Sequence, residues 1–198
     1  IVELGLVDTR SKAQRLIKAG HVLVDGRVTT KPAANVAMAS VITVDKGDDY
    51  VSRGAYKLVG AFDAFRQHGL PEPEGMRCLD IGASTGGFTE VLLRRGAAQV
   101  IALDVGHGQL DPRIAGDGRV VRMDGVNIRG VVADDLAFRP QLVVSDVSFI
   151  SLTYVIPVIA RIAAAGAHIV LLVKPQFEVG REGLGKNGIV EDPALRRR

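Results

Sequence analysis

Cys78-Leu79-Asp80-Ile81-Gly82-Ala83-Ser84-Thr85-Gly86-Gly87-Phe88 is a short apolar run that ends in an acid, turns through glycines and passes into Phe88, Val91 and Leu92 at helical spacing. The pattern predicts a strand, a tight loop and a helix, the opening unit of an α/β nucleotide-binding sheet. Glycines in the loop let backbone approach a ligand where a side chain would block it, and the first turn of the helix presents unpaired N–H groups. A dinucleotide site wants G-x-G-x-x-G with a pyrophosphate on the helix N-terminus. Gly82–Gly87 lacks the second glycine of that spacing and carries Asp80 two residues before the first, so NAD is the weaker of the cofactor readings.

Downstream, apolar runs at 77–81, 99–103, 119–123, 141–145 and 168–173 alternate with helical patterns, notably 87–95 and 152–165, the latter expected to be kinked or interrupted by Pro157. Such alternation predicts a parallel, doubly wound sheet. Ligands of these sheets sit beyond the C-terminal strand edges, and the strand ends here form a set: Asp80, Asp104, Asp124 with Asn127 just beyond, Asp146, and Lys174-Pro175. One acid in such a place is ordinarily a helix cap. Four acids and a lysine at five successive ends exceed what capping needs. Asp104 is placed to accept from both ribose hydroxyls of a nucleoside, and Asn127 to meet an adenine edge or a nearby water.

The 198 residues suit one medium domain or a small domain joined to a larger one, and 47% hydrophobic against 24% charged residues supports a packed core. No apolar run has the roughly 18 residues of a membrane span. The single Cys78 excludes an internal disulfide and fits a reducing compartment. With no secretory pattern at the start, a cytoplasmic location is expected, with no membrane and no metal partner.

The net charge of +3 is unevenly spread: residues 1–47 hold seven Lys/Arg against four acids, and the remainder is balanced. A small anion-binding module attached to a neutral larger domain fits this, as does a basic face that is merely solvated. Residues 1–6 read as the end of a helix. Thr9 is placed to cap a second helix over 11–19, stopped by Gly20, with Ala13, Leu16 and Ile17 buried and Lys12, Arg15 and Lys18 on a common side. A hairpin over 22–29 turns at Asp25-Gly26, and a last strand covers 41–44. The stretch 48–57 is expected as a linker, and 58–65 as an amphipathic helix with Lys57 near its start.

Thr9–Gly26, followed by Lys31-Pro32, resembles the S-four-type RNA-binding domain. The resemblance implies recognition of structured RNA through phosphate and shape, with Arg10, Lys12, Arg15, Lys18 and Lys31 as contacts. The D-x-G-x-x-x-G turn from Asp80 to Gly86 resembles the first motif of S-adenosylmethionine-dependent methyltransferases, whose sulfonium and ammonium groups suit nearby carboxylates. Several further blocks look like the TlyA (hemolysin A) family: Val51–Leu58, Ala83–Thr89, Asp104–Leu110, Asp146–Leu152 and Lys174–Glu178. One departure is His107, where many relatives carry Tyr. The family's catalytic domain is similar to the FtsJ-type RNA ribose methyltransferases.

The resemblance implies a Rossmann-like α/β methyltransferase sheet at 58–198, preceded by a small α+β RNA-binding domain at 1–47. It implies S-adenosyl-L-methionine as cofactor, with Asp80, Gly82, Ala83, Ser84, Thr85, Gly86, Gly87, Phe88, Asp104, Val105, Asp124, Asn127 and Asp146 around it. The substrate would be ribose 2′-hydroxyls of ribosomal RNA or ribosomal subunits. Lys57, Asp146 and Lys174 match three members of a Lys-Asp-Lys-Glu tetrad, with Lys174 nearest the hydroxyl, as a base when neutral or as an orienting charge when cationic. Glu178 lies too close to Lys174 to be the fourth and reads as structural or substrate-lining. That glutamate, and the terminal strands of the sheet, are expected to lie outside this chain, whose first helix likewise looks clipped, so turnover by the chain as it stands is in question. A non-catalytic RNA- or ribosome-binding protein and a membrane-active hemolysin are the alternative functions.

Overall fold

In the computed structural model, residues 1–45, 50–185 and 187–195 are described. The chain divides into two compact units, Ile1–Asp49 and Tyr50–Arg198.

The smaller unit begins with turns rather than the helix expected over 1–6. Gly5 has φ +66 and its N–H bonds back to the Val2 carbonyl, so the backbone reverses before a helix can propagate. Helix α1 (Arg10–Lys18) starts where Thr9 Oγ1 accepts the Lys12 N–H at 3.2 Å. It stops in a Schellman motif: Gly20, φ +79, donates to the Ile17 carbonyl and His21 to that of Leu16. Strands β1 (Val22–Val24) and β2 (Arg27–Thr29) form the hairpin, with Asp25 (φ 49) and Gly26 (φ 75) both left-handed as a type I′ turn requires. Strand β3 (Ile42–Val44) pairs antiparallel with β1. The core is small: Val7, Ala13, Leu16 and Val22.

The larger unit contains α2 (Ala55–Phe65), β4 (Arg77–Ile81), α3 (Gly87–Arg94), β5 (Gln99–Asp104), the short α4 (Pro112–Ala115), β6 (Val120–Asp124), β7 (Leu142–Ser145), α5 (Leu152–Ile162) and β8 (His168–Leu171). Its five strands are all parallel, in the order β6-β5-β4-β7-β8. Strand order reverses beside β4, which puts the switch point at the glycine turn. Alternate residues of each strand serve opposite cores. Cys78, Val100 and Val144 face α2 and α3, while Leu79, Ile81, Ile101 and Val143 face α5.

Two expectations change here. Pro157 does not interrupt α5, which runs unbroken through it. Residues 48 and 49 of the expected linker lie outside the described residues, and Tyr50 to Lys57 pack within the larger unit. The Val51 N–H donates to Glu90 Oε2 at 2.6 Å, the Arg94 guanidinium lies 4.4 Å from the Tyr50 ring centroid, and Ala55 is fully buried. Gly87 makes this possible, since a Cβ there would lie 2.8 Å from Ser52 Cβ.

Candidate active site

Three segments far apart in sequence meet at one carboxylate. The first turn of α2 carries Lys57, the backbone just past β7 carries Asp146, and the backbone past β8 carries Lys174. Lys57 Nζ lies 2.8 Å from Asp146 Oδ2, and Lys174 Nζ lies 2.6 Å from Oδ1. The second contact is ionic rather than an aligned hydrogen bond, because Oδ1 has no hydrogen-bond partner by angle. Lys174 Nζ also donates to Ser148 Oγ at 2.7 Å and to the Asp146 carbonyl at 3.3 Å. One carboxylate between two ammonium groups leaves the trio itself with a net positive charge. The side chains of Asp146 and Lys174 are 19% and 17% exposed, so water screens the pair only partly.

The glycine turn is built by its backbone. Gly82 (φ +81) and Ala83 donate to the Leu103 carbonyl at 2.8 and 3.1 Å, and Ser84, left-handed at φ 49, donates to Asp104 Oδ2 at 2.8 Å. The other oxygen, Asp104 Oδ1, accepts the Gly106 N–H at 2.8 Å. Asp104 therefore ties its own loop to the glycine turn, and each oxygen keeps a lone pair for a further donor.

Two cavities share this turn. One, of about 610 Å³, is lined by Lys57, Asp146 and Lys174 with Ser52, Arg53 and residues of the glycine loop. The other, of about 600 Å³, has an apolar wall including Leu103, Val105, Val126 and Ile128, with Asp104 and Asn127 as polar groups. Gly82, Ser84, Asp146 and Ser148 line both. A donor held in the second cavity and an acceptor held in the first would meet at Asp146.

Among the residues singled out from sequence, Ala83, Thr85, Gly87 and Phe88 line the first cavity, and Val105 and Asn127 the second. Asn127 Oδ1 also accepts the Arg129 N–H at 3.0 Å. Asp80 lies inside the sheet at 1% exposure and accepts the Thr89 hydroxyl at 2.7 Å. Burial pushes its carboxyl up to about 7 against the opposing Thr89 hydrogen bonds. Gly86, φ +93, packs under Leu110 and Ile114. Asp124 pairs with Arg122, accepts the Gly108 N–H at 3.2 Å and is held below the usual carboxylate range by these two contacts, Arg122 first. Asp80, Gly86 and Asp124 line neither cavity. Arg10, Arg15, Lys18 and Lys31 are exposed on the smaller unit, while Lys12 is half-buried and pairs with Asp8 at 3.3 Å.

Ser52, Arg53 and Ser148 were given no role by sequence reasoning and line the site nonetheless. Their adjacency to Lys57 and Asp146 in the chain was the available signal.

Residues 50–198 match the FtsJ-like methyltransferase family, and residues 1–42 match the S4 domain. The chain is 50% identical over 200 residues to the 16S/23S rRNA (cytidine-2′-O)-methyltransferase TlyA of Mycobacterium tuberculosis, covering all of this chain and 73% of that protein. It is 43% identical over 193 residues to Hemolysin A of Brachyspira hyodysenteriae, covering 97% of this chain and 79% of the relative. A solved structure from Streptococcus thermophilus, described as a hemolysin, superposes with a TM-score of 0.71 at 40% identity, over 96% of this chain and 69% of that one. With both parts of the chain matched in order and a relative at this identity over all of this chain, the chain belongs to the FtsJ-like methyltransferases, in the TlyA group that joins an S4 domain to that fold.

Proposed function

We propose that this protein transfers a methyl group from S-adenosyl-L-methionine to ribose 2′-hydroxyls of ribosomal RNA. The observation that carries the reading is the Lys57–Asp146–Lys174 cluster in the first cavity, whose Asp146 also lines the second. The second cavity suits the cofactor: an apolar wall for an adenine, the Asp104 carboxylate for a ribose diol, and a glycine at 82 where a Cβ would press on Val147 at 3.2 Å. Asp104, Val105 and Asn127 would hold the nucleoside, with Gly82 to Ser84 and Asp146 beside the sulfonium end. When bound, the cofactor supplies an electrophilic methyl on a cationic sulfur.

The chain's own residues do the rest. As an ammonium, Lys174 Nζ donates to Ser148 Oγ and the Asp146 carbonyl and lies in ionic contact with Asp146 Oδ1. The carbonyl contact, at 3.3 Å, is the longest and the one a substrate hydroxyl would replace. As an ammonium Lys174 orients the hydroxyl by donating to it; only as a neutral amine, one proton fewer, does it take the hydroxyl proton at Nζ, while Asp146 fixes the lysine and Lys57 adds a cation beside the forming alkoxide. Alignment of the two cavities supplies the proximity term.

In the S4 domain, Arg10, Lys12, Arg15, Lys18 and Lys31 are the proposed RNA contacts, acting on phosphate and shape. Among the described residues, no helix is long and apolar enough to cross a membrane. The test is transfer of isotopically labelled methyl to ribosomal RNA and to isolated subunits, followed by mass mapping of 2′-O-methylated nucleotides. Labelled ribose is expected. Cofactor binding without any transfer would instead support a non-catalytic RNA-binding protein.

A further inference from the structure

Glu178 lines neither cavity. Its carboxylate reaches back along the chain, where Oε2 accepts the Ser151 hydroxyl at 2.6 Å and Oε1 accepts the Leu152 N–H at 3.0 Å. Leu152 is the first residue of α5 and Ser151 its N-cap. Glu178 thus satisfies an N–H with no partner inside the helix and places its charge at the positive end of the helix dipole.

This contact is the outermost of three that join two stretches beyond the strand ends, the second a short 3-10 turn over Pro175–Phe177. Lys174 Nζ meets Ser148 Oγ at 2.7 Å, the Phe177 ring lies 5.1 Å from that of Phe149, and Glu178 holds Ser151 and Leu152. Residues 174, 177 and 178 therefore face 148, 149 and 151–152 in order. Neither stretch is held by strand pairing, since β7 ends at Ser145 and β8 at Leu171. Phe149, whose side chain is exposed, is left-handed at φ 64, a conformation uncommon for a residue with a Cβ. The rigid body that Glu178 reaches is the N-terminus of α5, whose apolar face, with Val155, Ile159 and Ile162, is fully buried.

We propose that Glu178 is a positioning residue for the transfer reaction. By clasping the N-terminus of α5 it sets the separation of the two stretches, and through that holds Lys174 Nζ against Ser148 and Asp146. The inference rests on ribose methylation as the reaction, but its geometric half can be read without turnover.

The full chain is compared as wild type, Glu178→Ala, Glu178→Gln, Lys174→Ala and the Glu178→Ala/Lys174→Ala double variant. Two readouts are taken. One is single-turnover methyl transfer to ribosomal subunits, with S-adenosyl-L-methionine affinity measured alongside. The other is the labelling rate of individual lysines by an amine-reactive reagent, mapped by mass. Glu178→Ala is expected to slow transfer by about 10–100-fold, as a misplacement of about 1 Å does, with cofactor affinity within about threefold. Glu178→Gln keeps an acceptor oxygen for the Leu152 N–H and loses less. In the Lys174→Ala background Glu178→Ala has no further effect on the residual rate, because its role runs through that lysine. Lys174 labelling rises several-fold in Glu178→Ala while Lys57 labelling stays the same. Unchanged Lys174 labelling, or losses that multiply in the double variant, overturns the proposal. Should Glu178→Ala not fold, labelling of Glu178→Gln decides it. A wild type that binds cofactor and transfers nothing overturns the methylation reading alone, since the labelling result still decides the clasp.

Discussion

Lys57 stands on the first turn of a helix whose next residue, Leu58, is fully buried, whereas Lys174 stands on irregular backbone three residues past the end of β8. The two ammonium groups reach the same carboxylate, at 2.8 and 2.6 Å, but are held there differently. Lys57 inherits its position from packing: Ala55, Leu58 and Phe62 sit in the core, and the segment before them is pinned by Glu90 and Arg94. Its side chain is 47% exposed and makes one ionic contact. Lys174 is 17% exposed and is fixed by what its own ammonium touches. A cation set by scaffold tolerates changes at its tip, while one set by its contacts does not. The second arrangement is the one expected of the group that handles the proton.

The largest effect should come from removing that group. Lys174→Ala is expected to slow methyl transfer by about 10²–10⁴-fold, the range for a positioned acid–base group, with cofactor binding retained. Lys57→Ala should cost roughly tenfold, about 1.4 kcal/mol of barrier. Equal losses in single-turnover rates would erase the distinction between the two lysines. Disturbing the packing on the Lys57 side tests the same distinction from the other end. A methyl in Gly87→Ala would lie 2.8 Å from Ser52 Cβ and 3.2 Å from the Ala55 nitrogen, so about 1–3 kcal/mol of stability should be lost in urea unfolding, as overpacking typically costs. An unchanged midpoint would mean that the segment before α2 shifts freely and contributes little to holding Lys57.

Asp80 completes the series, since this carboxylate has burial and one hydroxyl but neither lysine. With its folded pKa raised to about 7, the native state binds the extra proton. The stability this contributes is full below the unfolded value and is lost as pH rises from about 4 to about 7. Asp80→Asn should remove up to about 1.4 kcal/mol per pH unit of that fall. The comparison must be made against wild type, because Asp111 and Asp117, lowered chiefly by Arg113 and Arg119, act in the opposite sense on acidification. Parallel stability–pH curves for the two proteins would sink the assignment.

Much of this was legible before any coordinates. Strand β4 and the start of α3 fall where Cys78–Phe88 placed them, and Lys57, Asp146 and Lys174 meet although they come from three separate blocks. Periodicity and strand-end chemistry are local signals, and the parallel sheet gathers strand ends along one edge. What stayed hidden depended on partners distant in sequence. Nothing near Tyr50 announces that Glu90 will accept the Val51 N–H, so that stretch looked like a linker. Pro157 looked like a break, yet the N–H it lacks would have served the Thr153 carbonyl in the first turn, a small loss beside burial of Val155, Val158 and Ile159. Glu178 looked structural or substrate-lining for the same reason, since its partners, Ser151 and Leu152, are 27 and 26 residues away.

Separation along the chain also sets the order in which the molecule can come into being. Lys57 and Asp146 are 89 residues apart, with β4, β5, β6 and β7 between them. Their contact closes a long loop, whose entropic cost must be met before the contact returns anything. The ion pair can therefore form only after most of the parallel sheet is in register, and the lysine from beyond β8 joins one crossover later still. A chain caught partway through folding can own the glycine turn once β5 lies beside β4, because the turn is tied to Leu103 and Asp104, but it has no assembled trio to act on what the turn binds. Assembly of the centre reports, by its existence, that the sheet around it is finished.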